Sequence, residues 1–163
     1  QADHSFNGCV GVARAEGQGF TEWRILPPLV GAEGVNNEME RAMMRVVDGR
    51  YYLFWSTQAK TFAPEVTTGP TGLYGMVADS LFGPYQPLNG HGLVAANPVE
   101  EPEQTYSWWV CDDLTCIGFI NLWGMNGEAI DPTAPSYTTQ FAGVPSPKFR
   151  LALDGASAKV MPL

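Results

Sequence analysis

Short runs of apolar or alternating residues recur along the chain, each bounded by glycine, proline, asparagine or aspartate: "CVGVAR", "RAMMRVV", "RYYLFWS", "GLYGMVAD", "GLVAAN", "SWWVC", "TCIGFIN" and "KFRLALD". Runs of that length, rich in β-branched and aromatic residues, predict strands. The 18 glycines and 13 prolines supply the turns between them. Asp48-Gly49, set between "RVV" and "RYYLFW", is the strongest short-range hairpin signal a sequence offers. Almost no helix is expected. "NNEMERAMMRVV" could begin one with Asn37 as cap, but Val46, Val47 and the Asp-Gly pair that follow favour a strand entering a hairpin.

About eight to ten short antiparallel strands mean a sandwich, a barrel or a propeller; at four strands per blade they fill about two to two and a half blades. That does not close a ring, so the chain is either a sandwich or part of something larger. A length of 163 residues, 45% of them hydrophobic and 12% aromatic, is enough for one packed core. The net charge of −8, with no basic cluster, is the wrong sign for tracking phosphates, so nucleic acid is not an expected partner. No run approaches the roughly 18 apolar residues of a membrane span, so no membrane partner is expected. "QADHSFNG" has neither a basic region nor an apolar core, so any leader is expected to be gone already.

The three cysteines are Cys9, Cys111 and Cys116. "VCDDLTCIGF" reads as a hairpin with a cysteine on each strand beside an acidic turn, so a Cys111–Cys116 bridge is geometrically compatible in an oxidising compartment; free, partly buried thiols are the alternative. Cys9 is then left over, either as a small buried hydrophobe or as a tie to another chain. The cysteines and the two histidines, His4 and His91, show no zinc-ligand spacing.

Candidate chemistry sits in "NNEMERAMM", residues 36–44. On a strand, Glu38 and Glu40 point to the same face and repel unless a cation, a hydrogen bond or a substrate hydroxyl separates them. Arg41 points to the other side, unless a bulge or strand end brings it near. On the spacing alone a solvated strand end is the favoured reading.

The flanks extend the picture. "EMER", then "VVDGRYYLFWSTQ", "TGPTGLYGMVADSLFGPYQPLNGHGLV", "NPVEEPEQTYSWWV" and "FRLALDG" occur in the order found in the C-terminal part of the bacterial levansucrases and related fructosyltransferases of glycoside hydrolase family 68, which the chain resembles from about Asn7 to about Asp154. "WRILPPLV" looks like the family segment before the E-x-E-R strand, and "LFGPYQPLNG" matches in register with it. The resemblance implies an all-β fold, the C-terminal portion of a five-bladed β-propeller with antiparallel four-stranded blades, spanning residues 1–163 as a single partial domain without internal boundary. It implies a sucrose pocket at one end of the central channel and retaining transfer of a fructosyl unit to water, sucrose or fructan. Such chemistry uses two carboxyls about 5–5.5 Å apart, one attacking the anomeric carbon and the other protonating the leaving group and then activating the acceptor.

By the same resemblance Glu40 is the general acid/base, Glu38 and Arg41 hold sugar hydroxyls, and Tyr106 in "QTYSWW" is the pocket tyrosine; from the residues alone a core aromatic is the favoured reading of Tyr106. The chain departs from the family at Gln58, where Arg or His is usual and acceptor binding is implied, and at Trp108-Trp109, where "TYSH" is frequent. The two tryptophans are expected to alternate faces, one into the core and one toward the channel or another blade. Asn37 stands where calcium-binding members carry aspartate; the expectation is no metal and no cofactor.

The family's nucleophile, an aspartate after tryptophan, and its stabiliser, in Arg-Asp-Pro, have no counterpart here. None of Trp23, Trp55, Trp108, Trp109 and Trp123 precedes Asp, and Asp131-Pro132 follows Ile130. One acid/base cannot run a double displacement alone. The expectation is therefore the acid/base-bearing chain of a secreted, two-chain enzyme acting on sucrose and fructan, cut before Gln1 and held to a larger N-terminal chain carrying the nucleophile. Alternatives are a mainly hydrolytic β-fructofuranosidase or inulosucrase of the same family, and a non-catalytic carbohydrate-binding β module.

Overall fold

The computed structural model describes residues 5–66, 69–125, 131, 133–134 and 137–163; His4, Ile130 and Pro132 lie outside them. Twelve strands run through the described residues: β1 (Cys9–Glu16), β2 (Glu22–Gly31), β3 (Glu40–Val47), β4 (Arg50–Thr57), β5 (Gly72–Ala78), β6 (Gln86–Pro87), β7 (Leu93–Ala96), β8 (Thr105–Val110), β9 (Thr115–Leu122), β10 (Phe141–Pro145), β11 (Phe149–Asp154) and β12 (Ser157–Pro162). The only α-helix among them is the single turn Tyr137–Gln140.

The count exceeds eight to ten because β2, β6, β10 and β12 carry weak local signals. Pro27 and Pro28 interrupt β2, which pairs only with β1 and is therefore free of the ladder bonds that proline removes. β6 is two residues long. The blade count holds nonetheless. β6 and β7 share one edge of β5, so the sheet of β3 to β7 fills four ladder positions. β10 and β11 likewise share one edge of β9, with β12 beyond and β8 on the other side. The β1–β2 hairpin is a separate two-stranded sheet.

The described strands pair antiparallel, between sequence neighbours or near neighbours, and a parallel bridge joins Asn7 to Asn36. At the β3–β4 turn Val47 pairs with Arg50, while Asp48 and Gly49 have φ of 49° and 77°. Two successive left-handed residues match the right-handed twist of the strands they join, as the Asp-Gly pair predicts.

The sheets stack in chain order. Val10, Leu29 and Val30 of the first hairpin pack on Leu53, Trp55 and Tyr74 of the middle sheet. The opposite face of that sheet, with Met43, Tyr52, Phe54, Leu73 and Val77, packs on Trp108, Val110, Cys116 and Leu151 of the third. β4 is consequently buried without interruption from Tyr52 to Thr57, because a strand covered on both faces has no solvent side. Large apolar side chains are exposed at the two ends: Ile25 is 78% exposed on the first hairpin, and Trp109 and Phe141 are each 50% exposed on the third sheet.

Trp108 and Trp109 take opposite faces. Trp108 sits in the core edge-on to Phe149, with ring centroids 5.7 Å apart. Gly118 makes room for it: a Cβ there would lie 2.4 Å from Thr105 Cγ2 and 3.0 Å from Trp108 Cε3. The Cys111–Cys116 bridge does not form, and all three cysteines are free. Val110, not Cys111, is the register partner of Cys116, so the pleat sends the two cysteine side chains to opposite faces. Cys9 is exposed and not a buried hydrophobe.

Candidate active site

Glu38 and Glu40 do not share a strand face as a uniform strand requires. β3 begins at Glu40, whose register partner is Ser56 of β4, and Glu38 lies in the segment before it. That segment is fastened from below. Asn36, 3% exposed, accepts the Glu38 N–H at 2.6 Å and the Thr61 hydroxyl at 3.2 Å, and Thr57 donates its hydroxyl to the Glu38 carbonyl at 2.7 Å.

The ladder slips between Glu40 and Met43, and Arg41 has φ 53°. A bulge of this kind re-aims the side chains around it, departing from the simple alternation that would put Arg41 opposite Glu40. Arg41 is exposed and makes none of the ion pairs among the described residues, which leaves its guanidinium free for a ligand.

Tyr106, on β8 of the third sheet, donates its hydroxyl to Glu40 Oε2 across 66 residues of sequence. Gln58, just past β4, donates Nε2 to Glu38 Oε1 at 3.3 Å. Burial first, then the hydrogen bond to Glu40 and the negative charges of Glu38 and Glu40, push the Tyr106 phenol well above its ordinary 10.0, with a hydrogen bond to Gln58 opposing. The phenol therefore stays protonated and remains a donor to the carboxylate. Glu40, Tyr106, Gln58 and Glu38 form one connected polar cluster. Glu38 Oε2 is buried without a hydrogen-bond partner among the described residues.

Asn37 Oδ1, at the position tied by resemblance to calcium, accepts the Phe6 N–H at 2.5 Å. Among the described residues no group of three or more His, Cys, Asp or Glu is arranged to hold a metal ion. Burial raises the Glu103 carboxyl from its ordinary value, outweighing the nearby Lys60.

Ser56, Thr57 and Asn36 escape a reading of the sequence alone. "WST" reads as the end of an ordinary strand, and only the burial of its hydroxyls marks it. The arrangement offers a carboxyl held by a phenol and a second carboxyl held by an amide, with Arg41 exposed on the adjoining bulge. These groups suit proton transfer next to a polyhydroxylated ligand.

A family model described as Levansucrase/Invertase, glycoside hydrolase family 68, matches residues 1–160. The chain belongs to this family. It is 43% identical over 148 residues to levansucrase Lscgamma of Pseudomonas syringae pv. actinidiae, covering 91% of this chain and 32% of that protein. It is 48% identical over 114 residues to the levansucrase of Erwinia amylovora, covering 70% of this chain and 27% of that one. The structure of an inulosucrase from Halalkalicoccus jeotgali bound to kestose superposes with a TM-score of 0.88 at 40% identity, over 96% of this chain and 40% of the other. The chain thus spans about a third of the length of the curated relatives it matches. Family members are five-bladed β-propellers, and the three stacked sheets are part of one.

Proposed function

We propose that this chain contributes the acid/base half of a sucrose-cleaving, retaining fructosyltransferase. The observation that carries the reading is the meeting of Glu40 and Tyr106 from two different sheets, with Gln58 and Glu38 joined to the same cluster. Family membership supplies the substrate class, because the relatives named above are levansucrases and an inulosucrase.

In this reading Glu40 protonates the glycosidic oxygen as glucose departs and the fructosyl unit passes to the nucleophile, then removes the proton from the acceptor that attacks the fructosyl-enzyme. Tyr106 holds the carboxylate in place between the two steps. Glu38, with its buried Oε2 open to a donor, and Arg41 hold fructosyl hydroxyls, and Gln58 meets the acceptor. The nucleophile and the stabilising carboxylate belong to the remaining part of the propeller, which completes the ring. That part covers the apolar ends at Ile25 and at Trp109 and Phe141. The assembled enzyme is secreted and needs no metal or cofactor.

The test is Glu40→Gln in the assembled enzyme, read as glucose release from sucrose. Turnover is expected to fall by about 10³-fold or more, toward what binding and the remaining groups supply without acid/base help. Near-normal glucose release would sink the assignment. Equal free fructose and glucose from the unmutated enzyme identifies the hydrolytic form of the same chemistry, for which Gln58, uncharged and engaged with Glu38, is the motivating feature.

A further inference from the structure

β8 pairs with β9 along one edge only, and polar groups on its other side are taken up by side chains of the middle sheet. The Trp108 N–H goes to Ser56 Oγ at 3.1 Å, the Val110 N–H to Met43 Sδ at 3.2 Å, and the Val110 carbonyl accepts from Arg45 Nη2. These contacts, together with Tyr106–Glu40, run along one seam between β3–β4 and β8. Of the two acceptors for β8 N–H groups, the Met43 thioether is weak and the Ser56 hydroxyl is strong.

Ser56 is 0% exposed and sits opposite Glu40 in the β3–β4 register, so the two side chains share the face toward β8. On β8 the ladder slips between Tyr106 and Trp109, and Ser107 has φ 57°. A non-glycine residue held left-handed persists only where its surroundings fix it. The bulge it makes sets the direction in which Tyr106 leaves the strand.

We propose that Ser56 is a positioning residue for the acid/base: by holding the β8 bulge through the Trp108 N–H, it fixes the Tyr106 hydroxyl against Glu40. Thr57, the next residue, holds the Glu38 carbonyl instead. Adjacent hydroxyls of one buried strand thus serve the two arms of the site, the proton-transfer arm through Ser56 and the sugar-holding arm through Thr57. The inference rests on the fructosyl-transfer reading above.

The experiment is a double-mutant cycle in the assembled enzyme with sucrose. Ser56→Ala is expected to lower kcat by about tenfold or more while KM stays within about threefold, because the sugar-holding arm is untouched. In a Tyr106→Phe background the same change is expected to cost less than about twofold, since the serine acts through the tyrosine. A merely structural serine gives losses that multiply, and that result overturns the proposal. Ser56→Cys nearly preserves the buried volume while weakening the acceptor, and is expected to reproduce the loss of kcat in a normally assembled protein. Wild-type kcat in either variant, or failure of both to assemble, also overturns it. Glu40→Gln separates the two levels: if it stays active the functional reading falls, whereas an inactive Glu40→Gln beside a fully active Ser56→Ala removes only the role of Ser56.

Discussion

The Tyr106 hydroxyl donates to a carboxylate and is partly withdrawn from water, and both effects favour the neutral phenol. A hydrogen bond to a charged group is worth about 1.5–3 kcal/mol, so Tyr106→Phe is expected to lower kcat for glucose release by about ten- to hundredfold. The raised pKa also fixes a sign. The folded protein keeps this proton as pH rises past the ordinary 10.0 while the unfolded chain releases it. The associated stability is therefore present in full below the unfolded value and is lost as pH climbs toward the folded one. Tyr106→Phe should flatten the fall of denaturation midpoint above that pH; an unchanged alkaline slope would contradict the shift. The cysteines divide as sharply. Burial, with smaller contributions from Cys111 and Asp113, pushes the Cys116 thiol up to about 12, whereas Cys9 is exposed. Brief alkylation of the native protein should label Cys9 and leave Cys116 unmodified until denaturant is added, as read by peptide mass.

Among the elements, the β3–β4 hairpin carries the clearest sequence signal and has a local cause. Gly49 at φ 77° occupies a conformation that a Cβ penalises, so Gly49→Ala is expected to cost about 1–2 kcal/mol in denaturant unfolding of the assembled protein. β12 carries a similar hint in Asp154-Gly155, which joins β11 to β12 with Gly155 at φ 55°, but the run after it, "SAKVMP", has one β-branched residue and no aromatic to mark it as a strand. β2 was hidden by its two prolines. The bulges at Arg41 and Ser107 had no sequence signature, since neither residue is a glycine, and the one at Ser107 adjoins the Trp108–Ser56 contact from another sheet. They matter most for the site, because an uninterrupted strand would aim Glu40, Arg41 and Tyr106 differently.

At the scale of the molecule, two full blades and one hairpin stack with large apolar side chains exposed at each end. Such faces call for a partner surface. The isolated chain is expected to bind an apolar fluorescent dye and release no glucose from sucrose; adding the complementary part of the propeller should quench the dye and restore turnover. Dye binding unchanged on assembly would show that these faces are not the seam. The sequence by itself determined the strand-rich character, the Asp-Gly hairpin and a strand count too small for a closed ring, because periodicity and turn chemistry are properties of neighbouring residues; the resemblance of its ordered motifs to the family added the propeller and Glu38, Glu40, Arg41, Gln58 and Tyr106 as a candidate set. Only the tertiary structure decided that Tyr106 meets Glu40, that Ser56 ties β8 to β4 across 52 residues, and that Cys111 and Cys116 turn away from each other. Those outcomes depend on register, on bulges and on which sheet faces which, and a shift of one residue in any strand reverses them.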